Sequence, residues 1–209
     1  KMYYEGKDQY PNQSLDDSFL EALAQGGYQV GELAKHYYPG GHEIKTLSAN
    51  EALLQTEALL KNDSVIIYEA AIRYRGLFVR IDILVKNGTH IELIEVKAKS
   101  YDPTNPGFMK KRGDGLDSKW MGYLCDVAFQ RFVLANAFPQ FSIDSYLMLA
   151  DKTCKVATDG LNTKFLITSS GKSRKEVSVS SNLSSDDLTS KVLIPVLVNE
   201  ELDYIYQHE

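Results

Sequence analysis

Asp82 interrupts the apolar run Val79-Arg80-Ile81-Asp82-Ile83-Leu84-Val85, and Glu95 and Lys97 interrupt Leu93-Ile94-Glu95-Val96-Lys97. Both runs have the composition of strands covered on both faces. A carboxylate there is costly unless it is paired or bound to a cation. Asn87-Gly88, between the runs, is a strong hairpin signal. Taken as a two-residue loop, it sets Lys86 opposite Thr89, Leu84 opposite Ile91 and Asp82 opposite Leu93. Opposed residues share a face, and each strand alternates. Asp82, Leu93, Glu95 and Lys97 therefore share one face, with Glu95 diagonal to Asp82 at roughly 7 Å. A second turn signal, Arg75-Gly76, sets Tyr74 opposite Leu77 and brings Glu69 opposite Asp82 as a third carboxylate.

Two carboxylates at that spacing converge on one divalent cation, with an ammonium further along the row. Oxygen ligands of this kind suit Mg2+ or Mn2+, which keep several waters. Such an ion polarises a phosphoryl oxygen and makes bound water a better nucleophile. A lysine beside it orients that water or stabilises developing negative charge. The chemistry this combination points to is phosphodiester hydrolysis.

These side chains need a sheet to position them. Apolar residues at mixed three- and four-residue steps over 15–37 predict a helix that Gly26-Gly27 interrupts and Pro39-Gly40-Gly41 stops. Ser48 and Glu51 have capping-box spacing and open a second helix. Strands are expected over 65–74, 77–85 and 90–98. A polar loop follows over 99–118, with the basic run Lys110-Lys111-Arg112. A long helix is expected over 119–138, stopped by Pro139, and a strand over 143–150. Beyond Asp151 the pattern weakens to a short strand over 165–168 and a Ser-rich stretch, 169–192, read as a mobile loop or an exposed hairpin. Residues 192–198 read as a last strand or the entry to a closing segment, followed by a short acidic helix from Asn199. Helices, three strands, a helix and a strand, in that order, predict an α/β sandwich with a mixed central sheet flanked by helices. The whole of 1–209 is expected to be one domain, with its core at about 28–150 and the remainder peripheral.

Composition narrows the function classes. Of 209 residues, 44% are hydrophobic and 24% charged, as in an ordinary globular protein, and the net charge is −5. A protein that binds nucleic acid by bulk positive charge is excluded, but a carboxylate-bearing metalloenzyme acting on nucleic acid is not. Cys125 and Cys154 are too few for a disulfide scaffold or a four-cysteine cluster. The apolar runs are far shorter than a membrane span and no secretory leader is visible, so a cytoplasmic protein without a membrane partner is expected. The first residue is Lys1, which suggests a piece of a longer chain with additional domains.

Asp82 followed by Glu95-Val96-Lys97 resembles the motif of PD-(D/E)XK nucleases. The flanking residues, Val79 to Leu84 and Ile94 to Lys97, resemble the RecB-like branch, which includes exonuclease domains of recombination enzymes and CRISPR adaptation nucleases. Asp126-Val127-Ala128-Phe129-Gln130 is similar to that branch's glutamine motif, with Leu134 where the family usually has an aromatic residue. The resemblance covers about residues 28–150. It implies a restriction-endonuclease-like three-layer sandwich and cleavage of nucleic acid, with DNA favoured. It implies metal ligation by Asp82, Glu95 and the Val96 carbonyl, a catalytic Lys97, and a Gln130 that orients Lys97 or a nucleotide. Such nucleases often take a ligand from an upstream helix; Glu32 is the candidate, with His36 as runner-up, and Glu69 would complete the shell. An iron–sulfur cluster, present in some relatives, is not expected with two cysteines.

Other residues have weaker claims. Lys99 shares the face of Lys97, and Lys110, Lys111 and Arg112 are candidates for gripping a nucleic-acid backbone. Tyr123 is a candidate for stacking, as is Trp120, although core packing is the better default for both. Two other functions fit the same residues: a nucleic-acid-binding or structural module that has lost turnover, and an enzyme of small phosphorylated substrates.

Overall fold

The computed structural model describes residues 18–110, 112–170 and 174–208. In chain order these form α1 (Ser18–His36), β1 (His42–Glu43), α2 (Ala49–Leu59), β2 (Ser64–Tyr74), β3 (Leu77–Asn87), β4 (His90–Tyr101), α3 (Ser118–Ala137), β5 (Ser142–Asp151), β6 (Phe165–Ser170), β7 (Arg174–Val179), β8 (Leu193–Leu197) and α4 (Asn199–His208).

Two tight turns build the centre of the sheet. Arg75 and Gly76 take φ of 46° and 85°, the two positive values that a type I′ turn requires. They set Tyr74 opposite Leu77 and Ala70 opposite Ile81, in the expected register. The next turn differs from expectation. Asn87 pairs with His90, so the loop is Gly88-Thr89 and not Asn87-Gly88. Gly88, at φ 58°, holds the first loop position, where a type II′ hairpin favours glycine. Lys86 consequently faces Ile91, and Leu84 faces Leu93. A shift of two residues keeps side chains on their faces. It moves Asp82 from the diagonal of Glu95 to the same level.

The described strands make a six-stranded mixed sheet in the order β1-β2-β3-β4-β5-β8, beside a separate β6–β7 hairpin. Strands β4 and β5 are parallel, joined by α3 as the crossover. One face is covered by α2, α3 and α4, whose Ala52, Leu124, Val127 and Leu202 pack with Ile67, Leu84 and Leu93 of the sheet. On the other face Leu33 and Ala34 of α1 and Phe165 pack with Ile83, Ile94 and Met148. Strand β8 pairs with β5, so part of the stretch beyond Asp151 forms an edge strand of the central sheet. Among the described residues no helix is long and apolar enough to cross a membrane.

Helix α1 runs unbroken through Gly26-Gly27, where an interruption was expected. Neither glycine takes a positive φ. Each weakens a helix by about 1 kcal/mol relative to alanine, and packing of the apolar face overrides that preference. Part of the Ser-rich stretch is the β6–β7 hairpin. Beyond it, buried Asp187 accepts from Lys164 Nζ at 2.5 Å and from the Ser184 amide at 2.8 Å. Lys164, then these other donors, hold its carboxyl far below the usual range.

Ser48 caps α2 as expected, accepting from the Glu51 amide, while the Glu51 side chain turns to Thr46 Oγ1 at 2.6 Å. The Ser48→Ala protein is expected to lose about 1 kcal/mol of stability. Urea unfolding at unchanged slope would measure it, and an unmoved midpoint would mean that Thr46 and Glu51 hold the helix end without Ser48.

Candidate active site

Strand β4 parts from β3 close to where its ladder with β5 becomes irregular. Its pairing with β3 ends at Ile83 and Ile94, and its pairing with β5 shifts register between Val96 and Ser100. Glu95, Val96 and Lys97 lie at this opening. The Asp82 carboxylate reaches across and accepts the Val96 amide on Oδ2 at 2.8 Å. Burial, then the negative charge of Glu95, pushes the Asp82 carboxyl well above its ordinary value; Glu69 adds to this, while the Val96 amide and Lys97 oppose it. A partly buried and a buried carboxylate side by side repel each other, and a cation between them removes that repulsion.

Glu95 is 6% exposed and held on both oxygens. Lys97 Nζ lies 2.7 Å from Oε1, and Gln130 Nε2 donates to Oε2 at 2.7 Å. Gln130 comes from α3, which the β4–β5 crossover lays over this end of the sheet. Asp126, one turn earlier on α3, approaches Lys97 at 3.3 Å. Burial works against the charge on Lys97, but Glu95 and Asp126 outweigh it and hold its pKa above the usual lysine value. The buried Gln130 Oε1 has no hydrogen-bond partner among the described residues.

Asp126 was not among the expected site residues. Its signal was present in the four-residue spacing to Gln130, which puts both on one stripe of the helix.

Glu69 sits where the sheet's alternation slips. Ile67 and Leu84 belong to the core under α3, and so do Ala70 and Ile81, three residues further along in each strand. Regular alternation would place them on opposite faces. Glu69 absorbs the slip at φ 57°, a conformation that strains any residue with a Cβ. Its carboxylate pairs with Arg80 at 3.6 Å, and Arg80 also donates to Thr46 O at 2.6 Å. Glu69→Gly is expected to stabilise the fold by about 1 kcal/mol. A lower urea midpoint would instead mean that the Arg80 contact outweighs the strain.

The remaining expected residues divide. Lys99 and Tyr123 lie beside Lys97: the Lys99 ammonium is 5.4 Å and the Lys97 ammonium 5.9 Å from the centre of the Tyr123 ring. Trp120 is 4% exposed and is a core residue. Lys110 and Arg112 are exposed on the loop after β4, and Lys111 lies outside the described residues. Glu32 is held by Lys35 at 2.9 Å, and Lys35 also binds Glu43 at 2.6 Å. His36 packs edge-on against Phe165. Among the described residues no group of three or more His, Cys, Asp and Glu side chains gathers closely enough to hold a metal ion. The expected four-carboxylate shell is therefore not assembled: cations of their own, Lys35 and Arg80, hold Glu32 and Glu69.

The donors that are together, Asp82 and Glu95 with the carbonyl of Val96 next to Glu95 in the chain, fit a small hard dication. An ion there would take its other ligands from water and substrate, as Mg2+ commonly does. The displaced Asp82 carboxyl is the group such an ion would relieve. Compared with protein-family models, with curated proteins and with solved structures, the chain matches none.

Proposed function

We propose that this protein is a metal-dependent nuclease that hydrolyses phosphodiester bonds, with DNA the favoured substrate, on a restriction-endonuclease-like fold of the PD-(D/E)XK kind. The observation that carries the reading is the Glu95–Lys97 ion pair, level with Asp82, where β4 has parted from β3 and its ladder with β5 shifts register. Mg2+ or Mn2+ held by Asp82, Glu95 and the Val96 carbonyl would supply charge at the phosphoryl oxygen and a more acidic water. Lys97, kept protonated, orients the attacking water and stabilises the negative charge that develops on phosphorus oxygens. Gln130 fixes the rotation of Glu95 through Oε2. Asp126 is the second carboxylate on the Lys97 ammonium, at 3.3 Å.

The test is cleavage of labelled single- and double-stranded DNA with Mg2+ or Mn2+, compared with EDTA. Metal-dependent cutting is expected, and its absence on both substrates would withdraw the reading. One observation favours a second reading, a binding module without turnover: both Glu95 oxygens are already engaged by the protein's own side chains. Binding of DNA without cutting in the same assay would select it.

A further inference from the structure

The loop after β4 is a mounted element. Phe108 is 1% exposed, stacks on Tyr101 at 5.6 Å and meets Trp120 edge-on at 5.2 Å. Met109 pairs with Leu116 in an antiparallel bridge, and the Lys110 amide donates to Gly115 O at 2.9 Å. The Asp117 amide closes the base on Phe108 O at 2.7 Å. The two arms of this finger, Met109–Lys110 and Gly115–Leu116, are thus held on buried aromatic rings. Those rings continue to the site, since Trp120 contacts Tyr123 at 6.3 Å and Tyr123 contacts Lys97.

The charge on this segment runs against the chain. Residues 97–119 hold six lysines and arginines against three aspartates, in a protein of net charge −5. Two of the aspartates are already committed. Asp102 pairs with Lys152 at 2.9 Å. Asp117 caps α3 and pairs with Lys119 at 3.1 Å. Lys110 and Arg112 are exposed at the finger's tip and have no ion-pair partner among the described residues. Cations without an ion-pair partner neutralise phosphates, and a backbone anchored on both arms lowers the cost of ordering the loop that carries them.

We propose that the finger is a second phosphate-binding subsite, at which Lys110 and Arg112 grip the backbone of a polynucleotide a few nucleotides from the bond held at Asp82 and Glu95. The position of the cleaved bond rests on the nuclease reading; the grip itself does not. The natural substrate is then a polymer and not a mononucleotide, because a mononucleotide cannot reach both subsites.

The test compares wild type with Lys110→Ala/Arg112→Ala and with the charge-keeping Lys110→Arg/Arg112→Lys. Binding of a labelled single-stranded DNA is followed in EDTA as salt is raised, and turnover of bis(p-nitrophenyl) phosphate is measured in Mn2+. Two lost phosphate contacts reduce the slope of log K against log salt by about 1.4. The alanine variant is expected to show that loss, the charge-keeping variant to retain the wild-type slope, and all three to turn over the small diester equally. Equal DNA affinity and slope in wild type and the alanine variant would overturn the finger, as would equal weakening in the charge-keeping variant. If the slopes change as expected but no protein cleaves diester or DNA, the finger stands as a nucleic-acid subsite and the nuclease reading falls.

Discussion

Lys97→Ala is expected to lower metal-dependent cleavage by about 10²–10⁴-fold, the range associated with one positioned proton-handling group. The lysine is half-buried at the end of a regular ladder, so its removal leaves the sheet intact. It leaves Glu95 with Gln130 Nε2 as its remaining donor, and the charge that would face a developing phosphorane is gone. Circular dichroism unchanged beside a collapsed rate would place the loss in the chemistry. A variant that cuts at the wild-type rate would remove Lys97 from the catalytic row. Asp126 would then be holding a lysine with no chemical task.

Asp82→Asn is expected to stabilise the metal-free protein and to abolish its response to metal. Burial and the adjacent carboxylates raise the folded-state pKa of Asp82 above its ordinary value of 3.8. Between that value and the raised one, the native protein keeps a proton that the unfolded chain has released. Stability therefore falls as pH rises through this window, and the loss persists above it. Asparagine does not titrate, so the variant's thermal midpoint should exceed wild type at pH 7 without metal. Adding metal should reverse the order. At a hundred times its dissociation constant a bound ion stabilises by about 2.7 kcal/mol, roughly 5–10 °C in a domain of this size. Wild type should gain this and Asp82→Asn should not. A wild-type midpoint indifferent to both Mg2+ and Mn2+ would mean that the pair does not bind them.

Much of this arrangement was legible in the sequence because strands report their faces. Asp82, Glu95 and Lys97 were placed on one side by alternation alone. The hairpin register was misjudged by two residues, and parity survived because an even slip preserves it. Asn-Gly is the commonest loop signal, but here Gly88-Thr89 supplies the loop and Asn87 remains in the ladder. The Glu69 slip had no local signature, since a left-handed glutamate inside an apolar strand is imposed by the packing around it. The capture of Glu32 by Lys35 was equally hidden. It depends on Glu43, which reaches the same ammonium from a two-residue strand on another element. The glycine pair in α1 failed as a breaker because propensity is a weak prior against a buried face. A last strand was expected over 192–198, but its hydropathy pattern did not say that it would pair with β5.

The borders of that sheet determine how copies of the protein meet one another. A strand at the rim of a sheet offers a row of free amides and carbonyls on which another chain can polymerise. Here one rim, β1, is two residues long. The other, β8, is five residues long and carries Pro195, which has no amide to give. Among the described residues neither border strand, β1 or β8, offers an incoming strand a long row of donors. The hairpin meander that holds the carboxylates is thereby kept in the interior of a sheet with blunt borders, and growth into fibrils is disfavoured at both of them.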